Sequence, residues 1–160
     1  FGLLYFAEIT EFTKELHSEM EKVVLMDKLP ENWTYPLIQP KLIEKYLRVK
    51  SNSIIGATVT VTVDRPLGSY HPEYKDMYYP INYGDIEGVM APDGEEQDAY
   101  ILGVNEPVGK FTGKIIAIVH RKDDIEEKWV VVPEKVTFSK KEIRQQIHFQ
   151  EQYFDSEIVM

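Results

Sequence analysis

Gly56-Ala-Thr-Val-Thr-Val-Thr-Val63 decides the fold class. Its β-branched apolar residues alternate with threonine at a period of two, the pattern of a strand wetted on one face. Asp64-Arg-Pro-Leu-Gly68 closes the run with turn residues. Further apolar segments follow at 77–83, 86–90, 99–102, 115–119 and 129–132, separated by glycine, proline or charge clusters. Short strands at regular spacing, broken by turn signals, predict a small barrel rather than a parallel sheet.

Upstream of this run the period changes. Ile9, Phe12, Leu16, Met20 and Val23 recur at spacings of three and four with charges between them, which predicts a helix. Leu29-Pro-Glu-Asn32 interrupts it. Pro40 suits the first residue of a second short helix, with Leu42, Ile43, Tyr46 and Leu47 as its apolar stripe. Downstream, Ser139 and Glu142 form a capping-box pattern, and Ile143, Ile147 and Phe154 trace one face of a last helix. The expected layout is a helical segment at 1–50, followed by a barrel domain with a C-terminal helix at 51–160.

Composition narrows the chemistry. The 160 residues are 43% hydrophobic and 12% aromatic, enough for a packed core. The absence of cysteine removes disulfide scaffolds, zinc-thiolate sites and cysteine nucleophiles. A formal charge of −9 disfavours nucleic-acid backbones and suits the collection of hard divalent cations. The opening FGLLYFA is far too short for a membrane span, so the expectation is a soluble protein, cytoplasmic by default. The chain opens at Phe1 rather than a methionine, as a fragment or a processed chain would.

Two acidic clusters stand out. Ala91-Pro-Asp-Gly-Glu-Glu-Gln-Asp98 places Asp93, Glu95, Glu96 and Asp98 around a Pro/Gly turn, and Asp123-Asp-Ile-Glu-Glu127 occupies another loop between strands. Carboxylates so close repel one another unless a cation joins them, so two such loops brought together would hold Mg²⁺ ions. Each cluster alone reads more simply as a solvated hairpin tip. His17, His71, His120 and His148 show no metal-ligating spacing and read as ordinary surface or core residues. Tyr78-Tyr-Pro-Ile-Asn-Tyr-Gly84 offers phenols that donate to phosphate oxygens, or else tyrosines that pave a strand. Within it Asn82 and Gly84 are unusual for a strand and mark a site or a bulge.

Taken in order, Tyr79-Pro-x-Asn-Tyr-Gly84, Asp93-Gly-x-x-x-Asp98, Lys128-Trp-Val-Val-Val-Pro133 and Ile147-His-Phe-x-x-x-Tyr153 resemble the soluble family I inorganic pyrophosphatases over about residues 56–155. The resemblance implies an α+β fold with a five-stranded, OB-like closed barrel flanked by helices. It implies Mg²⁺-dependent hydrolysis of pyrophosphate to two phosphates through a metal-activated water. Asp93, Asp98, Asp123 and Glu126 would be the metal carboxylates, with Asp98 bridging, and Glu95 would take the proton of the attacking water. Tyr83, Lys128 and Tyr153 would contact phosphate oxygens. The partner implied is a small-molecule substrate, with no nucleic acid or membrane and with room for a homo-oligomer.

The departures from the family pattern fall on its cations. A family lysine and glutamate are matched by Thr60 and Thr62, the phosphate-gripping arginine has no clear counterpart, and the lysine after the last tyrosine is Phe154. Arg65, His71, Arg121 and Lys122 lie in or beside turns that would border the site and are the candidate replacements. With those cations lost, two alternatives stand beside pyrophosphate hydrolysis: another small phosphoanhydride as substrate, or a non-catalytic barrel that binds metal or phosphate.

Overall fold

The computed structural model describes Leu37, Lys41 and residues 53–91, 94–122 and 127–160. The helices expected within 1–50 lie outside the described residues, apart from Leu37 and Lys41.

The Val/Thr run forms the first strand, β1 (Thr58–Arg65). It is followed by β2 (Asn82–Met90), β3 (Glu96–Ile101), β4 (Lys110–Arg121) and β5 (Glu127–Val132). The helix α1 (Lys140–Glu151) and a short β6 (Ser156–Val159) end the chain. The sheet runs β1-β2-β3-β5-β4, and β4 returns to pair with β1, closing a five-stranded barrel. The ladders are antiparallel except β3–β5, which is parallel. One edge of β4 is shared end to end: residues 110–114 pair with β1, and 118–121 pair with β6. This is the OB-like barrel with a helix and one additional strand.

Alternation along the strands sorts the side chains into two cores. Val61, Ile86, Ala99, Ile101, Ile115, Ile118, Trp129 and Val131 fill the barrel. Tyr83, Tyr100, Leu102, Val119, Val130 and Val132 take the outer face, where Ile143 and Ile147 of α1 cover them. Ile115 and Ile118, three apart, both point inward because a bulge at Ile116 adds a residue to β4. Ser139 caps α1 as its sequence predicts, in a reciprocal capping box with Glu142.

Three expectations need correction. The segments 77–83 and 86–90 do not form two strands. One strand covers 82–90, and the residues before it make only an isolated bridge between Tyr70 and Tyr78, because Pro80 has no N–H to offer a ladder. The segment at 115–119 is the middle of a twelve-residue strand. Phe154 does not continue the helical stripe, since α1 ends at Glu151; its ring instead lies 3.6 Å from the Arg121 guanidinium.

Asn82 and Gly84 are explained by the fold. The Asn82 side chain is fully buried; its Oδ1 accepts from the N–H of Leu67 and Val108, and its Nδ2 donates to the Glu106 carbonyl. It therefore ties the turn after β1 to the loop before β4. A Cβ on Gly84 would stand 2.0 Å from the Thr62 carbonyl oxygen and 2.7 Å from Val63 Cα. Only glycine lets β1 and β2 cross so closely.

Candidate active site

On the outer face of the barrel, beside the end of α1, lies a polar cleft of about 280 Å³. Its walls come from seven places in the chain: Arg65 at the end of β1, His71 and Tyr79 in the following loop, Tyr83 on β2, Asp98 on β3, Arg121 on β4, Lys128 on β5, and Gln150 on α1. Period-two alternation puts Asp98 and Tyr100 on the same outer face, as it does Lys128, Val130 and Val132. Arg65 reaches this face through a bulge. The β1–β2 register slips between Val63 and Arg65, so that Arg65 sits opposite Tyr83 rather than turning into the barrel.

Tyr83 organises the cations. Its ring is 2% exposed, with the Arg65 guanidinium 5.3 Å and the Lys128 ammonium 5.9 Å from its centroid, both within cation–π range. Burial lifts its phenol well above the usual tyrosine range, and the charge of neighbouring Asp98 adds to the rise. The phenol therefore keeps its proton at neutral pH, beside the carboxylate of Asp98. Lys128, 4% exposed, makes an ion pair with Asp98. Arg65 is braced by Asp64 at 2.8 Å, while its buried Nε finds no hydrogen-bond partner among the described residues.

Arg121 has two allegiances. It lines the cleft, but its guanidinium donates to Glu151 at 2.8 Å in a pair that is about 95% buried on both sides. Glu151 also accepts from the Tyr100 hydroxyl at 2.7 Å. This network joins α1 to the barrel at the back of the cleft.

Sequence reading missed Asp85. In the β2–β3 ladder it lies directly opposite Asp98, so two carboxylates meet on one face. Its pKa is pushed up to about 6, first by desolvation and then by the charges of Asp64 and Asp98. The one signal in the sequence is its spacing: Asp85 stands two residues after Tyr83 and so shares its face. Tyr79 and Gln150, also in the cleft wall, were not singled out as contacts either.

Of the residues expected at the site, the structure brings together Arg65, Tyr83, Asp98, Arg121 and Lys128, with His71 beside them. Lys122 is not among them; it is exposed and pairs with Asp155 at 3.1 Å. Thr60 and Thr62 bond to Thr112 and Glu87, away from the cleft. Glu95 is exposed in the turn entering β3, and Tyr153, 69% exposed, lines a neighbouring cleft. Asp93, Asp123 and Glu126 lie outside the described residues, in the turn before β3 and the connection between β4 and β5.

No protein-family model and no curated protein matches the chain. Solved structures do. The chain is similar to an inorganic pyrophosphatase from Ehrlichia chaffeensis, with TM-score 0.50 and 19% identity over 64% of this chain and 85% of that one. It also resembles an inorganic pyrophosphatase from Neisseria gonorrhoeae, with TM-score 0.49 and 19% identity over 61% and 74% of the two chains. At this identity the Ehrlichia structure establishes a relationship of fold: this chain folds as the barrel of that protein does. Among the described residues, no helix is long and apolar enough to cross a membrane.

Proposed function

We propose that the polar cleft hydrolyses inorganic pyrophosphate to two phosphates with Mg²⁺. The observation that carries this reading is the meeting of Arg65, Lys128 and Arg121 with the proton-bearing phenol of Tyr83 and the carboxylate of Asp98 in one small cleft. A compact dianionic or more highly charged group is what such a set of donors would hold. The order of the sequence motifs and the fold shared with the Ehrlichia pyrophosphatase support the same chemistry.

The donor set fits Mg²⁺. Asp98 and Asp85 face one another across the β2–β3 ladder, and oxygen-only carboxylate donors are those this ion takes. Lys128 already places a positive charge on Asp98. Asp93, Asp98, Asp123 and Glu126 would hold the metal, with Asp85 adding negative charge beside them. When bound, the metal lowers the pKa of a coordinated water and offsets charge on the phosphates.

The side chains do the rest. Glu95 takes the proton of the attacking water, whose oxygen bonds to phosphorus as the bridging P–O bond breaks onto the departing phosphate. Tyr83 and Lys128 donate to oxygens that gain charge, and Arg65 offers its guanidinium to the substrate. The Tyr83 ring holds both cations in place beforehand, so little reorganisation is needed at the moment of reaction.

The test is phosphate release from pyrophosphate by the full chain, with and without millimolar Mg²⁺. Metal-dependent release is expected. Asp98→Asn should reduce turnover at least about a hundredfold and weaken Mg²⁺ binding measured by calorimetry, in a protein that still folds but melts lower because buried Lys128 loses its partner. A variant that still turns over at a normal rate, or a parent that binds Mg²⁺ and releases no phosphate, would overturn the reading.

A further inference from the structure

A second, larger cleft of about 990 Å³ opens beside the polar one, between the loop 71–80 and the C-terminal end of α1. His71 and Gln150 line both, so the two are continuous. Phe154 joins them again, lining the larger cleft while its ring stacks on Arg121 of the smaller.

The chemistry changes sharply across that boundary. The small cleft is walled by cations and phenol or carboxylate oxygens. The large one presents Tyr74, Tyr78, Tyr153 and Phe149, with Glu73, Lys75 and Asp76 of the loop at its side. Tyr74 is 64% exposed, yet it is held in place: its ring lies 4.8 Å from that of His71, whose Nδ1 accepts from the backbone N–H of Glu73 and Tyr74. Tyr78 is held in turn by an edge contact with Tyr70 and by their backbone bridge. Rings fixed in position but left in water are a stacking platform, since every nucleobase has a π face to offer them. Pyrophosphate, all oxygen at its surface, gains nothing from them. The volume of the aromatic cleft lies at the upper end of the range that takes organic ligands, about 300–1,000 Å³.

We propose that this site also takes nucleoside 5′-diphosphates, with the diphosphate in the polar cleft and the base stacked at Tyr74 and Tyr78. The proposal rests on reading the polar cleft as a phosphoanhydride hydrolase and names a substrate class for it. The complementarity runs in the right order along one molecule: an anionic end for Arg65, Arg121 and Lys128, and a neutral planar end for the tyrosines. The reaction balances without a further reactant. The water oxygen bonds to the terminal phosphorus, and the P–O bond to the bridging oxygen breaks with its electron pair left on the nucleoside monophosphate. The water proton passes to solvent.

The experiment uses the full chain, with ADP and inorganic pyrophosphate as probes, each with Mg²⁺ and with a chelator. Calorimetry reads affinity, saturation-transfer NMR reads contact with the adenine protons, and phosphate release reads turnover. Transfer to the adenine protons is expected. Tyr74→Ala should weaken ADP about five- to hundredfold while pyrophosphate affinity stays within about twofold, and Tyr74→Phe, which keeps the ring, should hold ADP near the parent value. ADP affinity unmoved by Tyr74→Ala, or pyrophosphate affinity that falls equally, would overturn the proposal. Pyrophosphate turnover without adenine contact also overturns it and leaves the hydrolase reading standing. Adenine contact that Tyr74→Ala removes, with no phosphate released from either compound, upholds the base cleft and overturns the hydrolase reading instead.

Discussion

The same five strands build two faces with opposite characters. Inward, β1 to β5 present valine, isoleucine, alanine and one tryptophan, each less than a tenth exposed. Outward, one residue along, they present Tyr83, Asp85, Asp98, Lys128 and Arg121. The lesson is a division of labour set by the pleat: one face supplies stability, and the other spends part of it holding charges out of water.

Substitutions at the seam should show the largest effect. Gly84→Ala drives a Cβ into the Thr62 carbonyl and separates β1 from β2, so both faces should be lost together. A destabilisation above about 4 kcal/mol is expected, read as a collapsed melting temperature and lost soluble yield. A folded Gly84→Ala protein would mean that the two strands have room to part.

Next comes the buried pair at the back of the cleft. Arg121→Ala leaves Glu151 as an uncompensated charge and removes the stacking on Phe154, at a cost of about 3–5 kcal/mol in denaturant unfolding. Pairing Arg121→Met with Glu151→Leu should recover most of that loss, because no charge then stays buried alone. If the double variant is no better than the single, the pair holds the helix by something other than charge balance.

Lys128→Ala separates the faces most cleanly. It should lower kcat/KM for pyrophosphate about ten- to hundredfold and leave Mg²⁺ affinity near that of the parent. An unchanged kcat/KM would remove Lys128 from the phosphate contacts.

The smallest expected effect is a pH dependence at Asp85. Its pKa in the fold is raised to about 6 from 3.8, so the folded protein keeps a proton that the unfolded chain gives up. Its contribution to stability is complete below about pH 4 and is lost as the pH rises through about 6. Asp85 is partly open to solvent, so the loss should stay under about 1 kcal/mol. Melting curves in chelator, compared between the parent and Asp85→Asn from pH 4 to 7, should diverge over that interval. Parallel curves would mean that burial and the charges of Asp64 and Asp98 do not raise Asp85.

The two faces were not equally legible in the sequence. On β1 the inner face follows from alternation alone: Val59, Val61 and Val63 announce themselves against the threonines between them, and Ser139 with Glu142 marks the helix start without help from tertiary contacts. On the outer face, Tyr83, Asp98 and Lys128 could be picked out by motif. Asp85 could not, because its importance lies in standing opposite Asp98, and pairing register is set by bulges and loops. Arg65 depends on the same kind of feature. A strict count of two along β1 sends it inward, and the slip after Val63 brings it out. Gln150 comes from a helix whose docking angle no local pattern contains.

The shared edge of β4 has a consequence for how the chain reaches its final form. β1, β2 and β3 are neighbours in sequence as well as in space, so they can assemble by short loop closures as soon as they leave the ribosome. The edge of β1 stays unpaired until residues 110–114 arrive, and β3 waits for residues 129–131. Those two distant seams set the contact order of the barrel, and they make the half-built sheet, with both edges open, the state most exposed to sticking to another chain. β6 then pairs beside β1 along β4, covering the rest of that edge.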